Sequence, residues 1–382
     1  MHRILTFVLA LALLILPILA TPSRLRLPGS ALRLARKHGG GETGDDDDGP
    51  GGDNDNDDDS NADGNIPDLG DSAGIPDVAN ATNAACVPFY PVRDAILGGV
   101  FGGRCTDLAR ASVRLAFHDA GTFSLRLAAL GKPNGAADGS LLWDPQEVLR
   151  DENNGLQDIV AALAPLPQRF NVSPGDVLQL AGVLGVLACP GGPRIDAWVG
   201  RPLPANKAPN GLLPSPNDSV DSLLGRFADM GFAPVDLIAL IGAHGTARQR
   251  FVDPAMAGEA MDTTIDLWDV NFYRDTNVAT APHNVFRLAS DVNLAHNAST
   301  KAFFHEYIDN QPDWDQDYRA AHLLMSTLGY KTTELVNCTE LMPASINLTR
   351  VSMPDTVSGK AVVDPGLLEA AIQKYRAPWL KP

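Results

Sequence analysis

Apolar residues in this chain recur at helical rather than strand spacing, which limits it to folds built mainly from helices. Leu108, Ala111 and Leu115 form one stripe within Asp107–Phe117, and Leu156–Leu163 and Asp176–Leu187 read as further helices. Pro234 opens another, at a position where its missing N–H costs nothing. Leu237, Ile238, Leu240 and Ile241 then follow in quick succession. Val-rich alternating stretches are scarce, and no repeat of fixed period is present. The reading is a mostly α body with long loops and little β. With 382 residues, 45% of them apolar, the chain can bury one large core or two intimate ones.

The first part of the chain has a different texture. Met1–Ala20 reads as a secretory signal: His2 and Arg3, then apolar Ile4–Leu16, a break at Pro17, and small Ala20. A membrane anchor is the alternative, but the run is shorter than the ~20 residues a span needs. Residues 21–84 carry too little apolar material to fold. They hold like-charge runs at Asp45–Asp48 and Asp57–Asp59, and 14 acids lie between Glu42 and Asp77. This stretch reads as a disordered acidic linker, or as a propeptide cut after Arg36-Lys37. The formal charge is -16, of which residues 86–382 carry -8, and that balance argues against a nucleic-acid partner. Glycosylation triplets at Asn80, Asn217, Asn297, Asn337 and Asn347 agree with secretion; the one at Asn171 is discounted because Pro174 follows its serine. The chain is expected to be a monomer with no membrane partner. Four cysteines, Cys86, Cys105, Cys189 and Cys338, fit two disulfides, with three pairings open. No C-x-x-C spacing supports zinc.

Two histidines stand out. Arg114 and His118 are four residues apart and share a helix face. A guanidinium beside an imidazole makes the histidine harder to protonate and leaves several donors to satisfy. That pairing makes sense if a polarised ligand lies between them; a surface arginine near a satisfied histidine is the plainer alternative. His244 ends the apolar run Leu237–Ile241 and is preceded by Gly242 and Ala243. Such a residue suits an axial metal ligand with a flat cofactor pressed on Gly242 and Ala243, or else a helix-terminal cap. A carboxylate from a distant segment, Asp291, could orient His244 by accepting its second ring N–H.

Six motifs in order complete the picture: R-x-x-F-H-D-A at Arg114, A-D-G-S at Ala137, E-x-x-x-x-x-N-N-G-L at Glu147, S-P-G-D at Ser173, C-P-G-G-P at Cys189 and G-A-H at Gly242. In this order and spacing the chain resembles the fungal secreted (class II) haem peroxidases of the plant peroxidase superfamily, of the generic, low-redox-potential type. The resemblance covers about Cys86–Pro354. It implies a haem peroxidase domain over 85–354 and a C-terminal extension over 355–382. Its fold is two mostly helical halves sandwiching haem b. His118 and Arg114 match the distal pair, Phe117 the distal aromatic, Asn153 the residue that fixes the distal imidazole, and Glu147 the glutamate behind it. His244 matches the axial ligand and Asp291 its carboxylate partner. The activity implied is reduction of hydrogen peroxide and one-electron oxidation of small phenolic or aromatic donors.

The resemblance also implies two calcium ions. One set is Asp119, the Ala136 carbonyl, Asp138 and Ser140. The other is Gly245, Asp262, Thr264, Leu267 and Asp269. Gly245 departs from the family, which has a hydroxyl residue there, so the second site is expected to be weaker. The disulfides implied are Cys105–Cys189 and Cys86–Cys338. Met261 stands where an aromatic commonly sits beneath the haem. The three manganese-binding acids of some members map to Asp107, Ala111 and Arg250, and the exposed relay tryptophan of others maps to Ala239. Both donor classes are therefore expected to be poor. Trp143, Trp268 or Trp314 could substitute as a relay. Two other readings are an intracellular class I peroxidase and a non-catalytic calcium-loaded matrix protein. The signal and cysteines argue against the first; Arg114, His118 and Asn153 together argue against the second.

Overall fold

A computed structural model describes residues 74–348. The leader at Met1–Ala20, the acidic segment up to residue 73, the last residues of the 85–354 domain and the 355–382 extension lie outside the described residues. Part of the stretch read as disordered is folded in this structure. Val78–Asn80 and Ala84–Cys86 form short 3-10 turns, capped by Asp77 and Asn83. These residues are held because their backbone groups find partners far along the chain. The Thr82 amide donates to Glu340 Oε2 at 3.0 Å, and buried Arg93 reaches the Pro76 carbonyl at 2.8 Å and the Leu341 carbonyl at 2.9 Å.

The helices that build the site are α1 (Asp107–Ala120), α2 (Pro174–Ala188), α3 (Val220–Met230), α4 (Pro234–Ile241), α5 (Asn271–Asn277), α6 (Ala289–His296) and α7 (Gln311–Ser326). Strand is limited to β1 (Trp198–Val199) and β2 (Val336–Asn337), an antiparallel pair with Trp198 opposite Asn337. Helix α1 starts at Thr106, whose hydroxyl accepts from the Ala109 amide. Every residue of α2 is buried, as expected of a helix apolar on all sides. Small residues let α1 and α2 approach closely. A Cβ added at Gly182 would lie 2.5 Å from the Ala116 Cβ, and one at Gly185 would strike Ser112 and the Ala109 carbonyl. The Ser112 hydroxyl lies between two carbonyls, Ala109 of its own helix at 2.6 Å and Ala181 of α2 at 2.9 Å.

The S-P-G-D motif is a clamp at the start of α2. Ser173 caps the Asp176 amide at 3.1 Å. Gly175 lies against the backbone of Asp138, where a Cβ would sit 2.7 Å from its carbonyl oxygen. Asp176 meets Arg201 at 2.8 Å, and both are buried. Cys105–Cys189 joins the start of α1 to the end of α2, and Cys86–Cys338 closes a sequence separation of 252 residues. No helix among the described residues is long and apolar enough to cross a membrane.

Candidate active site

Helix α1 presents Arg114 and His118 one turn apart. Arg114 Nε donates to His118 Nε2 at 3.1 Å. The other side of the ring is set by a residue 35 positions away: His118 Nδ1 lies 2.8 Å from Asn153 Oδ1. Asn153 cannot turn its amide round, because its Nδ2 donates to the Glu147 main-chain carbonyl at 2.8 Å. The oxygen facing the imidazole can only accept, so the ring proton sits on Nδ1 and Nε2 keeps its lone pair. Burial, with the Arg114 charge adding to it, holds His118 down to about 3, so the imidazole is neutral at any ordinary pH. Arg114 opens onto the cleft, yet burial lowers its guanidinium to about 10. Its outer nitrogens are held by the carbonyls of Asn154, at 2.9 Å, and Glu152, at 3.3 Å. Phe117 packs between His118 and Phe227 of α3, stacked on the latter at 5.9 Å.

The second histidine follows α4. The turn Gly242–Thr246 carries His244, whose Nδ1 lies 2.9 Å from Asp291 Oδ2 in the first turn of α6. The Asp291 side chain is 2% exposed and that of His244 is 35% exposed, so the carboxylate is buried behind a ring that faces open space. Bonding at Nδ1 leaves Nε2 as the outward lone pair. One expectation is corrected here. Gly242 does not face a cofactor: a Cβ there would lie 2.6 Å from Trp314 Nε1 and would also strike the Tyr273 hydroxyl. Gly242 is small because aromatic side chains of the core occupy its side-chain space.

Two pairs of carboxylates lie close by. Asp119, directly after His118, accepts from the Gly139 amide and from Gln179 Nε2, each at 3.0 Å, and the Ser140 hydroxyl points at it from 3.5 Å. Gly139 makes this turn with φ +79°, in the left-handed region that favours glycine. Burial and then the Asp138 charge push Asp119 well above the usual carboxylate range, and burial lifts Asp138 to about 6. The second pair is Asp262 and Asp269. Thr264 joins them, its amide on Asp262 Oδ1 at 2.8 Å and its hydroxyl on Asp269 Oδ1 at 3.0 Å. The Leu267 amide closes the loop onto the Thr264 carbonyl at 2.8 Å. Asp262 Oδ2 is buried without a hydrogen-bond partner, and burial followed by the Asp269 charge raises this acid well above its ordinary value. A Cβ at Gly245 would sit 2.8 Å from that oxygen, so the glycine lets the carboxylate come in. Among the described residues no three His, Cys, Asp or Glu side chains form a metal-holding group. Each pair therefore needs hydroxyl and carbonyl oxygens to complete a cation shell, which calcium accepts.

Residues 100–310 match the peroxidase family. The chain is 35% identical to manganese peroxidase 3 of Phlebia radiata over 287 residues, 70% of this chain and 79% of that protein. It is 32% identical to ligninase H2 of Phanerodontia chrysosporium over 298 residues, 73% of this chain and 80% of that one. A peroxidase of Arthromyces ramosus is 30% identical over 296 residues, 73% of this chain and 81% of that protein. This chain belongs to the peroxidase family. The peroxidase is a hydrogen-peroxide-dependent oxidoreductase of mostly α fold, similar to the fungal class II enzymes. Haem is the cofactor that membership implies, and the proximal side fits it: His244 offers an outward Nε2 with a buried carboxylate behind it. The paired acids fit divalent cations, since no Lys or Arg among the described residues neutralises Asp119, Asp138 or Asp262.

The peroxidase places its remaining candidates less uniformly. Asp107 is not free for a cation. Arg250 reaches it at 3.1 Å and Arg110 also bonds it, while Arg110 holds Asp266 at 2.7 Å. Arg250 therefore answers Asp107, and Arg248 donates to the Gly258 carbonyl at 3.0 Å. Ala239, Met261, Trp268 and Trp314 are buried; Trp143 is 43% exposed. Glu147 acts on Asn153 through its main-chain carbonyl, whereas burial lifts its carboxyl to about 7. Gln179 was not read from the sequence as part of the site. The signal was there, since Gln179 and Asp176 are the two polar side chains in a helix whose other residues are apolar.

Proposed function

We propose that this peroxidase is a secreted, monomeric enzyme that oxidises small phenols and aromatic dyes, with haem b on His244 and a calcium ion in each acid cluster. The observation that carries the reading is the Arg114–His118–Asn153 array, which keeps an unprotonated Nε2 lone pair beside a guanidinium. Haem, when bound, supplies the redox chemistry that reduces peroxide and then takes single electrons from two donor molecules. His118 Nε2 takes the proton from one oxygen of hydrogen peroxide, holds it, and returns it to the other oxygen, which leaves as water. Arg114 stabilises the negative charge that builds on the departing oxygen. Phe117 packs edge-on to the His118 ring and stacks on Phe227, which fixes the wall beside the base. Asp291 fixes the tautomer and angle of His244.

Secretion is supported by the two disulfides, which use all four cysteines and belong to an oxidising compartment. The donor class is supported by Asp107, closed off between Arg110 and Arg250, and by Ala239, which is buried and cannot carry a radical. A divalent cation wants several oxygen ligands, and a guanidinium in their place repels it. Turnover with phenols and dyes should therefore be fast, manganese oxidation should not saturate, and veratryl alcohol should be attacked slowly. A survey of the three donor types tests this; saturable manganese oxidation with a micromolar KM would overturn it.

Chelation is expected to unfold the distal side first, because Asp119 ends α1 and adjoins His118. Loss of a cation present at 100 times its Kd costs on the order of 3 kcal/mol per site. The haem absorbance band and the melting temperature, followed after prolonged chelator treatment, should both fall and recover on adding calcium. Elemental analysis that finds no calcium, with neither quantity moving, would reject the two-cation reading.

A further inference from the structure

Beneath the turn that carries His244 lies a run of oxidisable rings that neither acid–base chemistry nor cation binding uses. His244 touches Phe272, whose neighbour Tyr273 meets Trp314 edge-on at 5.8 Å. Trp314 stacks on Trp268 at 5.2 Å with an interplanar angle of 9°, and Tyr318 stands against both, 4.8 Å from Trp268 and 5.8 Å from Trp314. Trp268, Tyr273, Trp314 and Tyr318 are all buried. On α7, Trp314, Tyr318 and His322 fall at successive fourth positions and share one face. A core that needed only volume would use Leu or Phe here. Instead Trp268 Nε1 and His322 Nε2 are buried with no partner, a free-energy cost the fold retains.

The polar ends of these rings separate conduits from a terminus. Trp314 Nε1 and the Tyr273 hydroxyl donate to the carbonyls of Ala239 and Ile238, and a backbone carbonyl cannot keep a proton. Tyr318 differs, since its hydroxyl lies 3.2 Å from His322 Nδ1. Burial lowers His322 to about 4, so it is neutral and has a lone pair to offer. A phenol gives up an electron far more readily when a base takes its proton in the same step.

We propose that Tyr318 is an internal one-electron donor to the haem site, reached through Tyr273, Trp314 and Trp268, and used when no external donor is present. In that step Tyr318 loses one electron and the haem site, oxidised by peroxide, gains it. The phenolic proton passes to His322 Nδ1, which leaves a neutral tyrosyl radical beside an imidazolium. An outside donor later returns the electron, and the proton goes back to the phenolate oxygen. Confinement in the core keeps the radical away from solvent and from other chains. A second phenol with a proton acceptor, Tyr307 on Asp317 at 2.8 Å, touches Tyr273 but stacks on neither tryptophan, so it is not assigned this role.

The inference rests on haem bound at His244. The test mixes holoenzyme with one equivalent of hydrogen peroxide, without donor, and freezes it for electron paramagnetic resonance. Chains carrying ring-deuterated tyrosine or ring-deuterated tryptophan are compared. The expected signal is a tyrosyl radical that narrows with labelled tyrosine only, is lost in Tyr318→Phe and persists in Tyr307→Phe. If Tyr318→Phe does not fold, His322→Gln serves: loss of the imidazole should shift the radical's g-values or abolish the signal. The proposal is overturned by no organic radical, by one that answers to tryptophan labelling alone, by one that survives Tyr318→Phe, or by one unchanged in His322→Gln. Each sample is also assayed for its haem band and dye oxidation. Failure of those two controls in the unsubstituted protein would reject the haem-peroxidase reading itself, a result distinct from a missing radical in an active sample.

Discussion

Replacing His118 with leucine is expected to slow the reaction with hydrogen peroxide by ~10²–10⁴-fold while haem stays bound. Leucine fills similar space but offers no lone pair, so the first proton of peroxide has nowhere to go. The change also strips Arg114 Nε and Asn153 Oδ1 of their partners, at 3.1 and 2.8 Å, without touching His244. Stopped-flow absorbance on mixing with peroxide measures the rate directly. A rate near that of the unsubstituted enzyme would sink the assignment of His118. Asn153→Ala should cost less, because it frees the tautomer and tilt of the ring but leaves the base in place.

His244→Ala should abolish stable haem binding. The expected readout is a collapsed haem absorbance band at unchanged protein concentration. The variant loses the outward Nε2, and it also leaves Asp291 stranded. That carboxylate is 2% exposed and its bond to His244 Nδ1 is broken, an unsatisfied buried acceptor that costs about 1–3 kcal/mol. The double variant His244→Ala/Asp291→Ala should therefore melt at a higher temperature than His244→Ala alone, while remaining haem-free. A single variant that keeps a full band would place the axial ligand elsewhere.

Local patterns in the chain were readable where the chemistry lies within one element. Arg114 and His118 share a face of α1 because four residues make about one helical turn. Asp119 follows on the same helix, and Thr264 sits between acids of a single loop. The S-P-G-D motif was visible, but its meaning as a contact between Gly175 and Asp138 depends on two segments meeting. Gly242 was misread for the same reason. A glycine marks a close approach, and only the packed core reveals that Trp314 and Tyr273, not a cofactor, make it.

The sequence by itself therefore determined the helical class, the two histidines and the family, since periodicity, the Arg114–His118 spacing and the order of six motifs are all written along the chain; the acid sets followed only from the resemblance. Tertiary structure decided which lone pair each histidine exposes, because Asn153 and Asp291 arrive from 35 and 47 residues away. It decided that Arg250 pairs with Asp107 across 143 residues. It also brought Trp268 onto Trp314 and Tyr318 within reach of both. The physical reason is common to all three. Hydrogen-bond direction, charge pairing and ring overlap each fall off within a few ångströms, and only the folded chain brings distant residues that close.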